Sequence, residues 1–305
     1  MQKKILLAVD DSIHSKQAVR YAARLARVNE ALFFDLLHIQ PAISLYLTEA
    51  SNPAPLKALM AKQSQAAHRL LERCQDEMLR LEVDPQRVAL KTLPRKQGVA
   101  KDLLDYGQAG RYDALLVGRR GASYVTELIM GSVTAGLIEH TEVIPIWVVD
   151  GDVASDKILL AIDGSENSLR ALDHVAFILT GQTTVKLEIL HVEPKIGAYC
   201  QIDFSDPVGA ETAEIILSGH RRCIDDFYSS ARAVLKNAGF PEDRCRIKVV
   251  KNRLRAGKAV LDELHGGDYG TLVVGRQGQG RSIFSGSVAR YVISKATGCA
   301  LWIVP

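Results

Sequence analysis

The chain is poor in aromatic residues: two Trp, seven Phe and nine Tyr make up 6% of its 305 positions. Apolar residues still reach 47% and charged residues 24%, an ordinary globular composition that excludes disorder, collagen and a disulfide-stapled miniature fold. Cysteine is scarce as well. The five present (Cys74, Cys200, Cys223, Cys245, Cys299) are odd in number and far apart, with no C-x-x-C pair. That spacing offers neither a zinc site nor a disulfide framework and reads as free thiols of a reducing cytosol. No charge of one sign dominates, since 38 Lys and Arg face 35 Asp and Glu for a net charge of +3. Without a basic block, a nucleic-acid partner is not expected. No window approaches 18 consecutive apolar residues, so no membrane span is expected either. The opening Met1–Asp10 lacks the small-residue cleavage site of a signal peptide and reads as a first strand, which places the expected protein in the cytoplasm.

Several catalytic signatures are also missing. Gly257-Lys258 is followed by Ala259 and has Asn252 where the first glycine of a phosphate-binding G-x4-G-K-S/T loop belongs. No G-x-G-x-x-G follows the first strand, and neither H-E-x-x-H nor G-x-S-x-G occurs. Dinucleotide, zincin and serine-hydrolase readings therefore have no motif to stand on.

What the chain does have is an internal repeat. Ile5-Leu-Leu-Ala-Val-Asp10-Asp11-Ser12 returns as Ile158-Leu-Leu-Ala-Ile-Asp163-Gly164-Ser165, and Leu37-His38-Ile39 as Leu190-His191-Val192, both 153 residues on. Tyr112 to Arg119 returns as Tyr269 to Arg276 at an offset of 157. Gly131-Ser132-Val133 and Ile146-Trp147-Val148 return as Gly286-Ser287-Val288 and Leu301-Trp302-Ile303 at 155. The chain reads as two duplicated domains, 1–150 and 151–305. Within the first, β-rich runs near 4–10, 32–39, 87–92, 113–118 and 145–149 alternate with helical patterns over Ser15–Arg27, Ala54–Leu81, Gln97–Ala109 and Gly131–His140. The second follows the same plan, with a helix from about Val208 to Ala238. Alternation of this kind predicts an α/β fold, a five-stranded parallel sheet in each domain with helices on both faces.

In open parallel sheets ligands bind beyond the carboxyl ends of the strands, near the reversal of strand order. The polar and glycine-rich residues collect at those ends: Asp10 and Asp163 close the first strands, and Gly118-Arg119-Arg120-Gly121 and Gly275-Arg276-Gln277-Gly278 the fourth. In the first half the spacing is Gly118-x2-Gly121-x9-Gly131-Ser132, followed by a helix. Glycine lets backbone N–H groups close on a phosphate, and a helix start favours an anion. An Asp at the end of the first strand can accept hydrogen bonds from ribose hydroxyls.

With these elements the sequence resembles a tandem universal stress protein over nearly its whole length. The resemblance implies two doubly wound domains of the adenine-nucleotide α-hydrolase-like kind, each expected to bind ATP where the G-x2-G-x9-G-S/T motif is intact. Carried over, Asp10 would hold ribose, the main chain of Ile39 would meet adenine, Gly118 would lie near the ribose, and Gly121, Gly131, Ser132 and Val133 would surround the phosphates. The second domain keeps Asp163, Val192, Gly275, Gly278, Gly286, Ser287 and Val288, but its loop from Gly278 to Gly286 is two residues shorter, which leaves nucleotide binding there open.

Arg119, Arg120, Arg276 and Arg281 flank the loop, and Arg119 and Arg276 are the favoured phosphate partners because they recur at one position. His38 and His191 read as hydrogen-bonded structural residues and Trp147 and Trp302 as packing residues. The segments Gln40–Pro55 and Glu193–Pro207 read as long loops, either lids, partner sites or variable connections. The last strands, as edges, suggest an intramolecular pseudo-dimer, with a further homodimer left open. The expected function is that of a stress-response regulator that binds ATP with Mg²⁺ and signals by conformation to a protein partner. No catalytic residue is evident, so at most slow ATPase activity or autophosphorylation is expected. The competing expectation is a nucleotide-free interaction scaffold of the same fold.

Overall fold

The computed structural model describes residues 1–42, 54–121, 130–182, 184–194, 207–253, 255–276 and 285–305. It divides into two compact units, Met1–Asp152 and Val153–Pro305. Unit 1 runs β1 (Lys3–Ala8), α1 (Ile13–Val28), β2 (Leu32–Gln40), α2 (Ala54–Arg80), β3 (Val88–Pro94), α3 (Val99–Ala109), β4 (Ala114–Gly118), α4 (Ser132–His140) and β5 (Ile146–Val149). Unit 2 repeats it as β6 (Lys157–Ile162), α5 (Glu166–Leu179), β7 (Lys186–Pro194), α6 (Pro207–Asn237), β8 (Cys245–Arg253), α7 (Ala256–Gly266), β9 (Thr271–Gly275), α8 (Ser285–Lys295) and β10 (Ala300–Val304).

Every strand pairing within a unit is parallel, and the order in unit 1 is β3-β2-β1-β4-β5. Unit 2 has the same order, β8-β7-β6-β9-β10. This is the doubly wound plan, with the direction of winding reversing between β1 and β4 and between β6 and β9. The central strands explain it locally: Ile5, Leu6 and Leu7 on β1 and Leu115 and Leu116 on β4 are all 0% exposed, as strands covered on both faces must be. Helices α1 and α2 pack together, as do α3 and α4. Right-handed crossovers put these two pairs on opposite faces of the sheet.

Helix α1 starts where Ser12 turns its hydroxyl back to accept from Ser15 N, an N-cap, and α5 starts with Ser165 and Ser168 in the same way. Helix α2 is made almost wholly of good helix formers, but its buried residues (Ala67, Leu70, Leu71, Cys74, Met78) lie only in its second half. Of the cysteines, Cys74, Cys223, Cys245 and Cys299 are free thiols, and Cys200 lies outside the described residues. No helix among the described residues is long and apolar enough to cross a membrane.

Candidate functional site

The reversal of strand order in unit 1 opens a cavity of about 180 Å³ beyond the carboxyl ends of β1, β2 and β4. One side is apolar, built from Ala8 and Val9 after β1, Leu37 and Ile39 on β2, and Val99 and Leu103 on α3. The other is polar and glycine-rich: Asp10, Ser15, His38, Gly118, Arg120, Gly121 and Thr134, with Val133 beside them. Such a pocket, an apolar slot that ends on a few converging polar groups, is what a small-molecule site requires.

The polar end is held by short local bonds. Ser12 donates to Asp10 Oδ1 through both its N–H (3.1 Å) and its hydroxyl (2.6 Å), while Asp10 N donates to Ser15 Oγ at 3.1 Å. The spacing Asp-x-Ser-x-x-Ser thus binds the end of β1 to the cap of α1. Unit 2 repeats it: Asp163 N donates to Ser168 Oγ at 3.0 Å, and Asp163 Oδ1 accepts from Ser165 N at 3.0 Å and Ser168 Oγ at 2.8 Å. The second carboxylate oxygen of Asp10 faces Gly121, where a Cβ would come within 2.8 Å of it.

His38 Nδ1 lies 2.9 Å from the Val9 carbonyl and ties the ends of β2 and β1 together. His191 stands 3.4 Å from the Ile162 carbonyl in the equivalent place. Each histidine is engaged by the strand end beside it.

Helix α4 closes the polar end. Its N-cap is Gly131, with no side-chain cap, and its first internal bond runs from Ala135 N to Gly131 O at 2.9 Å. The N–H groups of Ser132, Val133 and Thr134 therefore come before any intrahelical acceptor. At α1 the chain closes such a start itself through Ser12, whereas α3, like α4, starts on a glycine N-cap without a side-chain bond, and its Asp102 accepts instead from Lys96 N (2.8 Å) and Gln97 N (3.1 Å) ahead of the helix. An uncapped start beside an exposed serine is suited to an outside anion. Thr134 fixes the helix by donating to the Gly118 carbonyl at 3.0 Å, and Gly131 N donates to the Arg119 carbonyl at 3.0 Å.

Asp10, Ile39, Gly118, Gly121 and Val133 all line the cavity, whereas Gly131 and Ser132, which begin α4 just ahead of Val133, do not line it themselves. Arg119 is placed differently. Its side chain is 3% exposed, its guanidinium stands 3.8 Å from Asp150, and it is not among the lining residues. Arg119 N donates to Val149 O and Arg276 N to Val304 O, backbone bonds that fasten the last two strands of each unit and that any residue but proline could make. The arginine that lines the cavity is its neighbour Arg120.

In unit 2, Val192 is buried and pairs in register with Val250, and Gly275 ends β9 against α5. Gly286 and Ser287 fall inside α8, which begins at Ser285, and Val288 is half-buried. Gly278, Gly280 and Arg281 lie outside the described residues. Sequence reasoning missed Val99, Leu103 and Thr134. The first two stand one helical turn apart, which marks a face of α3, but only the topology turns that face to the cavity.

The family model for the universal stress protein family matches the chain twice, over residues 1–150 and 154–305. A universal stress protein of Mycolicibacterium smegmatis is 29% identical over 314 residues, spanning 99% of this chain and 97% of the relative. Among solved structures, a universal stress protein from Archaeoglobus fulgidus DSM 4304 superimposes with a TM-score of 0.64 at 19% identity, covering 99% of this chain and 97% of its own. A functionally unknown protein from Pseudomonas aeruginosa PAO1 reaches 0.59 at 16% identity, over 99% and 92%. At such identities the structures share the fold, and it is the two matches of the family model, together spanning nearly all of the sequence, that decide the assignment. This chain belongs to the universal stress protein family.

Proposed function

We propose that unit 1 binds an adenine nucleotide, ATP with Mg²⁺, in this cavity, and that the protein acts as a stress-response regulator through the surface that binding orders. The observation that carries the reading is the junction of an apolar slot with an uncapped helix start. Val9, Ile39 and Leu103 offer a flat apolar group a dry seat. Asp10, fixed by Ser12, presents carboxylate oxygen to sugar hydroxyls, and the N–H groups at the start of α4 face a phosphate. Arg120 is the cation we assign to the phosphates in place of Arg119.

Binding without efficient turnover fits the same geometry. A general base must reach the attacking water with its proton acceptor available. The lining carboxylate, Asp10, accepts from Ser12 at Oδ1 and, in this reading, from the sugar hydroxyls at Oδ2, which commits both of its oxygens away from an attacking water. For unit 2 the same function is proposed only as far as titration supports it.

Calorimetric titration of the nucleotide-free full chain with Mg-ATP tests the reading. The expected result is one site per chain if unit 1 alone binds, or two if unit 2 binds as well. Ser132→Asp separates binding from folding. A carboxylate in the first turn suits the helix dipole by about 0.3–1 kcal/mol, yet it repels phosphate. Thermal stability should hold or rise while affinity falls at least tenfold. No heat of binding at several temperatures, or a Ser132→Asp variant with the parent's affinity, would overturn the assignment.

A further inference from the structure

The sheet of unit 2 ends on β8, which pairs with β7 on one side and, among the described residues, with no strand on the other. An edge strand turns alternate N–H and C=O groups outward, where another extended chain can take them up. Along β8 the side chains alternate between faces. Cys245, Ile247 and Val249 share one face, where Ile247 is 43% exposed and Val249 42%. Arg246 and Lys248 stand exposed on the other. Unit 1 closes the same edge. There, 157 residues earlier, Leu90 and Thr92 are half-buried, α2 packs on the strand, and Pro94 takes the place of Lys251. The open edge is also basic. From Arg244 to Arg255 the cations are Arg244, Arg246, Lys248, Lys251, Arg253 and Arg255, with no acid among them. Asp243, preceded by Glu242, stands 3.5 Å from Arg244, and Glu263 of α7 stands 2.7 Å from Lys248. Glu188 and Glu193 belong to β7, one strand further in. A strand added to the edge lies about 5 Å from β8 and about 10 Å from β7, roughly a full screening length at moderate salt, so it meets the cations first.

We infer that the edge of β8 receives an extended acidic segment of a partner protein as an added strand. Acidic side chains of that segment meet Arg246 and Lys251, apolar ones cover Ile247 and Val249, and its backbone takes up the outward groups of the strand. The ladder and the apolar contacts hold the segment, and the charges select it and speed the encounter. Two copies of β8 laid side by side would set cations against cations, so the edge is guarded against pairing with itself. From Arg244 to Arg255 there is no aromatic side chain on which bases could stack, and a nucleic-acid strand would leave the backbone groups of the edge unmet. The nucleotide plays no part in this contact.

Fluorescence anisotropy of a fluorescein-labelled octapeptide that alternates Glu and Val, titrated with the full-length chain, reads the docking directly. The peptide should bind saturably, and the matching Lys-Val peptide should not. Proline at two successive central positions, one of which must face β8, should weaken binding about tenfold because a ladder N–H is lost. Arg246→Glu with Lys251→Glu should weaken the acidic peptide about tenfold and admit the Lys-Val peptide instead. Both positions are exposed, and the melting temperature of the variant checks its fold. Bound peptide should slow hydrogen exchange in β8. An acidic peptide that fails to saturate overturns the inference, as does a folded double variant with the parent's affinity. A proline peptide that binds undiminished overturns it too, since charge alone would then hold it. Protection confined to other strands, or displacement of the peptide by a lower concentration of a short oligothymidine, gives the edge to another role and overturns it as well.

Discussion

At Gly118 an added Cβ would lie 2.6 Å from the carbonyl carbon and oxygen of His14, and at Gly275 it would lie 2.7 Å from the carbonyl oxygen of Asn167. These glycines are therefore required by the approach of the first helix to the fourth strand, whatever the cavity holds. Gly118→Ala and Gly275→Ala should each lower stability by about 1–3 kcal/mol in urea unfolding. Unchanged midpoints would mean that the helix start yields easily. Another single residue sets a response to pH. His174 lies in the core of unit 2 with its ring 5.7 Å from that of Trp302, and burial lowers its pKa from 6.5 to about 3. The unfolded chain takes up a proton that the folded one refuses. Stability present above pH 6.5 is thus lost as pH falls toward 3, by about 1.4 kcal/mol per pH unit from this group. His174→Phe should flatten the fall of the urea midpoint between pH 7 and pH 4. A slope equal to the parent's would remove His174 from the account.

Elements are joined by a pair that recurs in both units. Tyr112, just ahead of β4, donates to Asp35 on β2 at 2.5 Å, and Tyr269, just ahead of β9, donates to Glu188 on β7 at 2.6 Å. Burial, and then the neighbouring carboxylate, push both hydroxyls far above the usual tyrosine range. The contribution of each is whole below about pH 10 and declines as pH rises beyond it, where the unfolded chain ionises and the folded one resists. Tyr112→Phe leaves the Asp35 carboxylate without this donor and should cost about 1–3 kcal/mol, measured by thermal unfolding at pH 8. The tyrosines are visible in the sequence as a repeated position, but their partners are not. An Asp in one unit and a Glu in the other, 77 and 81 residues away, leave no common letter to follow.

The alternation of strands and helices was legible because each element carries its own period. The shift of the repeat offset from 153 to 157 also has a plain cause, since α6 has 31 residues where α2 has 27. Four residues add about one helical turn, so the packing face is kept. Asp10, Gly118, Gly121 and Gly131 were legible as candidates because turns and helix starts constrain residue type at fixed spacing. Arg119 and Arg120 could not be told apart that way. Neighbours in sequence point to different sides of a strand end, and only the packed structure sends one to Asp150 and the other to the cavity.

At the scale of the whole molecule, duplication has produced two units with one plan and different mouths. Asp11, which in unit 1 meets Arg73 of α2 at 3.1 Å, is replaced in unit 2 by Gly164 at a φ of +79°, a conformation that favours glycine, lying against the backbone of Cys223 on α6. The approach to the end of the first strand therefore differs in charge as well as in shape. If the nucleotide belongs to unit 1 alone, Mg-ATP at about 100 times its Kd should stabilise that unit by about 2.7 kcal/mol and leave the other where it was. Equal stabilisation of both units would show that the shorter loop of unit 2 still serves.

The two tryptophans make that distinction optical. They are the only two in the chain, one in β5 and one in β10, and both are 0% exposed. Trp302→Phe leaves an emission spectrum that reports unit 1, and Trp147→Phe leaves one that reports unit 2. Red shifts on unfolding can then be assigned unit by unit, with and without nucleotide. Trp302 should also be quenched in acid as the imidazole of His174 becomes charged, whereas Trp147 should stay bright until its own unit opens. The duplication has left the molecule with a built-in fluorophore in each half, and in the second half a proton sensor beside it.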